Sequence, residues 1–331
     1  MQPLPVALTL DIEFDVNRAF ETRNPGSPRG REAIHCLFNG QDIGLGAILD
    51  ILDDYGVRAT FFVETLNTAW FGPDEMRDIA QELHARGHEV QLHVHPVWLH
   101  MDEVARVASG EMQAPETFTH DSLANLSENA VVDLVRIGQS TFAEWGLPPA
   151  TAIRAGNLMI ARHVYRAFAA CGLTISSSVG MGVYRPPESE LHRLIGPMVC
   201  DDVLEMPVSS YYGADVWLRS RVRLATLIGM SMAEQKGLLN AAQDLPAPGL
   251  IFLSHVNEVC HSLKDGSVVP NLLTVRKLRQ LCESVSSSPM LDAVTISELA
   301  SRWRGRIPAE DYKLELPRGL GFTRLLERLE R

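Results

Sequence analysis

The chain of 331 residues carries 30 basic and 41 acidic side chains, a net charge of −11, and is 46% hydrophobic and 21% charged. These are the proportions of a globular protein with a sizeable core, and the acidic balance, free of any long Lys/Arg run, argues against nucleic acid or an anionic membrane surface as partner. No apolar run reaches the roughly 18 to 20 residues that a membrane helix needs.

In chain order, Val6 to Asp15 reads as a first strand whose apolar run gives out in the carboxylates Asp11, Glu13 and Asp15. Residues 17 to 41 are rich in Gly, Pro, Asn and Arg and predict a long rim loop. Helical spacing covers Asp42 to Tyr55 and stops at Gly56. A second buried strand, Arg58 to Val63, leads to a helix over Pro73 to Arg86 that ends at Gly87. The strand Gly87 to Pro96 follows, then an irregular polar stretch from 97 to 126 that reads as a second lid. Ser127 is placed to cap a helix running to Trp145.

Beyond this, short strands are predicted at 152–157, 173–177 and 203–208, with a helix at 161–171 and a loop at 179–202. A helix is predicted across 219–242 and an apolar strand at Leu250 to His255. The last units are a helix near 272–285, a strand at 293–296, a short helix from Ser297 and a charged tail. Strands spaced by helices predict parallel βαβ units in a single domain, 1–304, with 305–331 as a tail packed on it or extending from it. The polar residues Asp11, His93, His95, Arg154 and His255 all stand at or just past strand C-termini, where a barrel places its site.

Two of these residues carry the strongest chemical signal. His93 and His95 are two apart, so an extended strand turns both imidazoles to one face, a natural start for a metal site. A third, anionic donor is expected from the carboxylates that end the first strand. The cysteines at 36, 171, 200, 260 and 282 are odd in number and scattered, without a CxxC pair, which fits reduced thiols. Met1-Gln2-Pro3 runs directly into a strand with no export signal, so a cytoplasmic location is expected.

Taken together, Asp11 in its strand, Ala59-Thr60-Phe61-Phe62-Val63, Gly87-His88-Glu89-Val90 leading to His93, Arg154-Ala155-Gly156 and Leu253-Ser254-His255 resemble, in order, the motifs of NodB-type polysaccharide deacetylases, carbohydrate esterase family 4. The resemblance spans roughly residues 5 to 300. It implies a distorted (β/α)7 barrel with long rim loops, which uses a divalent ion, commonly Zn2+, to hydrolyse N-acetyl or O-acetyl groups on sugars. The family's first motif has two adjacent aspartates, whereas this chain has Asp11-Ile12-Glu13; resemblance to an acid-x-acid subgroup implies Asp11 as the base and Glu13 as the metal ligand. Family members place their second histidine ligand four residues after the first, a position held here by Val97. His95 is the expected substitute and His100 the fallback, because Gln91-Leu92-His93-Val94-His95-Pro96 is similar to the WalW-like lipopolysaccharide-cluster branch. By the same resemblance His255 is the general acid that protonates the leaving amine, and Arg154 orients Asp11.

The expected substrate is an acetylated amino sugar of a cell-surface glycan or, given the expected location, its soluble or lipid-linked precursor. Two alternatives stay open: a non-sugar C–N hydrolase like the allantoinase relatives, and an inactive carbohydrate-binding module. The oligomeric state is open. Trp70, Trp98 and Trp217 are candidates for stacking on a sugar ring or for packing. Glu205 is expected either at the site or paired with an arginine; His88 is read as structural, and His84, His120, His163 and His192 as surface residues.

Overall fold

The protein was analysed as a computed structural model that describes residues 2–21, 26–112, 121–214, 219–245, 249–263 and 266–329. Nine strands form its main sheet: β1 (Leu4–Ile12), β2 (Thr60–Glu64), β3 (Glu89–Val94), β4 (Ala152–Ala155), β5 (Ile175–Ser176), β6 (Met198–Cys200), β7 (Val203–Glu205), β8 (Leu250–His255) and β9 (Leu291–Ala293). They run in the spatial order β8-β1-β2-β3-β4-β5-β7-β6, with β9 pairing the start of β1. All pairs are parallel except β6 with β7. Every residue of β1 is buried, as expected for a strand covered on both faces in a parallel sheet.

The helices between strands cover the outside. In α1 (Leu45–Tyr55), Leu45, Ile48, Leu49, Ile51 and Leu52 face the core, and Gly56 ends the helix at φ 62°, a left-handed turn that glycine adopts without strain. Helices α2 (Asp74–Ala85), α3 (Glu128–Glu144) and α4 (Arg162–Ala170) follow the same plan, with Ser127 accepting a hydrogen bond from the Ala130 amide as α3 begins. Helices α5 (Met232–Ala241), α6 (Leu272–Ser287) and α7 (Ile296–Trp303) complete the cover.

The sheet curls into a half-barrel, as the motif resemblance implies. Its open side, between the edge strands β8 and β6, is bridged by single contacts from the segments after β7 rather than by a full ladder. The Ser209 amide donates to Ile251 O (3.0 Å), the Ile251 amide donates to Ser209 Oγ (2.9 Å), and the Leu253 amide donates to Ala225 O (3.0 Å). The distortion lies at this seam.

Several stretches differ from the sequence reading: the loop expected at 179–202 holds β6, and the strand expected at 293–296 is β9, which ends at Ala293. Residues 17 to 41 contain a short helix, Arg31–His35, and begin a two-stranded hairpin, Leu37–Phe38 with Gln41–Asp42, too short to leave a period in the sequence. The stretch from 97 to 126 holds the 3-10 turn Pro96–His100 and the helix Met101–Ala108, while 113–120 lies outside the described residues. The helix expected across 219–242 is in fact a strand, Ser220–Leu224, paired antiparallel with Ser210–Ala214, followed by α5. Past Trp303 the charged tail is partly ordered. Leu316 is buried, and in α8 (Leu320–Leu329) the Glu327 carboxylate accepts from the Met232 amide (2.8 Å) and lies 3.3 Å from Lys277 Nζ.

Candidate metal centre and active site

Parallel register puts the chemistry at one level. Asp11 stands opposite both His255 and Phe62, Glu64 opposite His93, and His93 opposite Arg154, so the C-terminal ends of β1, β2, β3, β4 and β8 converge on one spot. All six residues singled out in the sequence meet there.

Arg154 is fully buried on β4, which is tolerable only because its donors are used. Nη1 donates to Asp11 Oδ1 (2.6 Å), Nη2 to Thr9 Oγ1 (3.0 Å) and Ser177 Oγ (2.9 Å), and Nε to Ser177 O (2.9 Å). The guanidinium also lies 4.1 Å over the Phe62 ring, a cation–π contact. The other Asp11 oxygen points into the site, 3.8 Å from His255 Nε2 and 4.0 Å from His93 Nε2.

Beside Asp11 is a compact Glu/His/His group. Glu13 Oε2 lies 2.7 Å from His95 Nε2 and 3.3 Å from His93 Nε2, and the two Nε2 atoms are 3.1 Å apart. Each histidine turns its other nitrogen to an acceptor: His93 Nδ1 to Arg154 O (2.9 Å) and His95 Nδ1 to Asp121 Oδ2 (2.8 Å). Neither a carbonyl nor an ionised carboxylate can donate, so both Nδ1 atoms carry protons, and it is the two Nε2 atoms, facing Glu13, that would offer lone pairs to an ion. The three donor atoms lie within 4.8 Å of one another. Their separations are close to the roughly 3.3 Å edge of a tetrahedron with ligand bonds near 2.0 to 2.1 Å, so the residues fit a divalent ion. His100 is not part of the group and pairs with Glu103 at 3.5 Å.

The electrostatics follow from these pairs. Burial raises the Glu13 carboxyl, but the facing His95, His93 and His255 outweigh it and hold it well below the usual carboxylate range. Burial would lower His95, yet Asp121 and Glu13 raise it well above the ordinary imidazole value. For His255, burial is likewise outweighed, first by the hydrogen bond to Glu258 and then by the charges of Glu13 and Asp11, and the group is raised to about 9. Glu258 takes His255 Nδ1 on one oxygen (3.3 Å) and Ser254 Oγ on the other (2.8 Å).

A cavity of about 220 Å³ opens over this group, lined by Asp11, Glu13, His95 and His255 together with Asp15, Trp98, Asn157 and Asn257. Phe14 and Trp98 line the cavity, and Phe71 joins them from behind, edge-on to Phe14 (4.9 Å) and to Trp98 (5.7 Å).

Several residues here carried no sequence signal. Asp121 and Glu258 are recognisable only by the histidine nitrogens they face. Glu64, wholly buried, accepts from the Leu66 amide on one oxygen, has no hydrogen-bond partner among the described residues on the other, and is raised by burial to about 8. Glu205 is neither at the site nor paired with an arginine; it is buried under the Tyr165 hydroxyl and the Ser178 and Val179 amides, because the short β7 carries it inward instead. His88 is buried edge-on to Phe61, and His84 is exposed. His163 and His192 are only partly exposed, since each is hydrogen-bonded to a backbone carbonyl (Leu126 and Pro186). Trp70 is 42% exposed, Trp98 is buried at the cavity wall, and Trp217 and His120 lie outside the described residues.

Residues 40–176 match the polysaccharide deacetylase family, a span that includes His93, His95 and Arg154 and leaves out Asp11, Glu13 and His255. No curated protein matches the chain. Among solved structures, one from Mycobacterium smegmatis assigned as a polysaccharide deacetylase is 18% identical and aligns over 96% of this chain and 98% of its own, with a TM-score of 0.55. A 4-alpha-glucanotransferase from Thermococcus litoralis is 13% identical over 96% of this chain and 42% of its own, with a TM-score of 0.51. That a glucanotransferase shares the architecture leaves the chemistry to be argued from the site. Among the described residues no helix is long and apolar enough to cross a membrane. The chain thus carries a polysaccharide deacetylase domain match at residues 40–176, set within a NodB-type deacetylase fold that runs through nearly its whole length.

Proposed function

We propose that the protein is a metal-dependent hydrolase that removes an N-acetyl or O-acetyl group from an amino sugar of a cell-surface glycan or its precursor. The observation that carries this reading is the placing of Asp11 between its Arg154 anchor and His255, with the Glu13, His93 and His95 group alongside.

In this reading Glu13, His93 and His95 hold a divalent ion, Zn2+ by the nature of the two-nitrogen, one-oxygen set. The ion supplies Lewis acidity, polarising the acyl carbonyl and acidifying water. Asp11 takes the proton of the attacking water, and Arg154 balances and orients its carboxylate. His255, raised to about 9, is protonated at neutral pH and gives its proton to the leaving amine, so that acetate and the free amino sugar result. Asp15, Asn157 and Asn257 at the cavity wall offer hydrogen bonds to sugar hydroxyls, and Phe14 and Trp98 give the ring an apolar side. We further read residues 1–304 as the catalytic barrel and 305–331 as an appended tail, and the Gln91 to Pro96 string as placing the chain nearest the WalW-like branch, with a cytoplasmic glycan precursor as substrate.

The test is acetate release from acetylated amino sugars by protein reconstituted with zinc. Turnover lost in Asp11→Ala and His255→Ala, with folding kept, supports the reading. Fully active Asp11→Ala protein, or wild type that never binds metal, overturns it.

A further inference from the structure

We infer that Asp121, held in place by Asn157, is a positioning residue for the metal centre that fixes the tautomer and direction of His95. This rests on the metal-site reading above.

Asp121 Oδ2 receives His95 Nδ1 at 2.8 Å and Asn157 Nδ2 at 2.7 Å, and Oδ1 faces the Val97 amide at 3.4 Å. Each neighbour is a donor, so only an acceptor-only carboxylate satisfies all three. An asparagine there has to turn its amide NH2 toward one of these donors. If it turns toward His95, Nδ1 must become the lone-pair nitrogen and the proton moves to Nε2, the atom that faces Glu13 and His93.

The backbone is shaped around the same contact. Asn157 and Leu158 are consecutive non-glycine residues in the left-handed region, φ 56° and 54°, a conformation that persists only where its surroundings demand it. It lets Asn157 donate to both the carboxylate and the main-chain carbonyl of Asp121 (3.2 Å). Immediately before it, Gly156 leaves room for the imidazole; a Cβ there would lie 2.6 Å from the His95 ring. Asp121, Asn157 and Gly156 therefore converge on one ring from two segments far apart in sequence. Partners behind a metal-binding histidine typically account for 10- to 100-fold in metal affinity.

The experiment measures zinc affinity of the metal-stripped full chain by competition with a chromophoric chelator. Wild type, Asp121→Asn, Asp121→Glu and Asn157→Ala are compared, with the His95 tautomer read by long-range 15N NMR of the metal-free protein at a pH alkaline enough for the ring to be neutral. The expected result is a loss of roughly 10- to 100-fold in Asp121→Asn with a shift of the His95 proton toward Nε2, a smaller loss in Asn157→Ala, and partial recovery in Asp121→Glu. Wild-type affinity and an unchanged tautomer in Asp121→Asn would overturn the inference while leaving the metal reading intact. If Asp121→Asn does not fold, Asn157→Ala decides in its place, and wild-type affinity with an unchanged tautomer in that variant overturns the inference. Wild type that itself fails to bind zinc overturns both readings, and is recognised by that control alone.

Discussion

Arg154 Nη1 meets Asp11 Oδ1 at 2.6 Å across the barrel, from β4 to β1, and both residues are buried. Removing one partner of such a pair leaves an uncompensated charge in the core, at a cost of roughly 3 to 5 kcal/mol. Arg154→Met and Asp11→Asn should therefore both lower the unfolding midpoint strongly, since the first strands the Asp11 carboxylate and the second the Arg154 guanidinium, which cannot give up its charge. Asp11→Asn should still lower turnover by about 100- to 10,000-fold as a lost general base. Urea denaturation and acetate release, measured on both variants, check the two halves separately; a wild-type midpoint in either variant would contradict the first.

His255 gives a pH prediction with a definite sign. Its folded value, about 9, is above the ordinary 6.5, so its stabilising pairing is fully present below about 6.5 and is lost as pH rises toward 9. In the zinc-loaded enzyme kcat should fall along an alkaline limb set by loss of the His255 proton. Replacing Glu258 with Gln removes the foremost of the raising influences and should move that limb to lower pH, with kcat at pH 6 changed far less. A pH–rate profile that keeps its alkaline limb in Glu258→Gln would exclude this pairing as its cause.

Glu64 has the opposite kind of environment. Buried and raised to about 8, it keeps its proton in the folded chain at pH values where the unfolded chain has released it. Its contribution is thus full below about 4.5 and falls away as pH climbs to 8, making the metal-free protein less stable with rising pH in that window. Glu64→Gln imitates the protonated acid and should flatten this dependence. Urea midpoints at pH 5 and pH 8, in the presence of a chelator, should differ less in the variant than in the wild type.

An ion held by Glu13, His93 and His95 binds only the folded chain, because the three come together from β1 and β3. At free zinc of 100 times Kd it should add about 2.7 kcal/mol of stability. Differential scanning fluorimetry with a zinc series should raise Tm in wild type and leave Glu13→Ala and His93→Ala unmoved.

Much of this was legible in the sequence because parallel βαβ units leave strong local marks. Leu250 to His255 coincides with β8 residue for residue, and Gly56 and Ser127 stand at the helix ends their chemistry predicts. The failures are equally physical. Ser220 to Leu224 is a half-exposed hairpin strand whose alternation is lost when it is read in one window with α5. The Glu/His/His group was readable because two of its members share a strand, and Arg154 because it stands at a strand end. Asp121 and Glu258 were not, since a carboxylate behind an imidazole is defined by tertiary approach and leaves no spacing to find.

β1 carries both Asp11 and the run into Glu13, and it is laddered on one side to β8 through six register pairs and on the other to β2 through four. Amides in so enclosed a strand exchange with solvent only when the whole domain opens. The Asp11 carboxylate therefore shares the lifetime of the folded state, whereas Glu13 and His95 lie just past the ends of β1 and β3, beyond any ladder. Partial, reversible loosening of the centre begins at these two ligands, so the rate at which a bound ion is released and recaptured is set at the rim and not in the sheet.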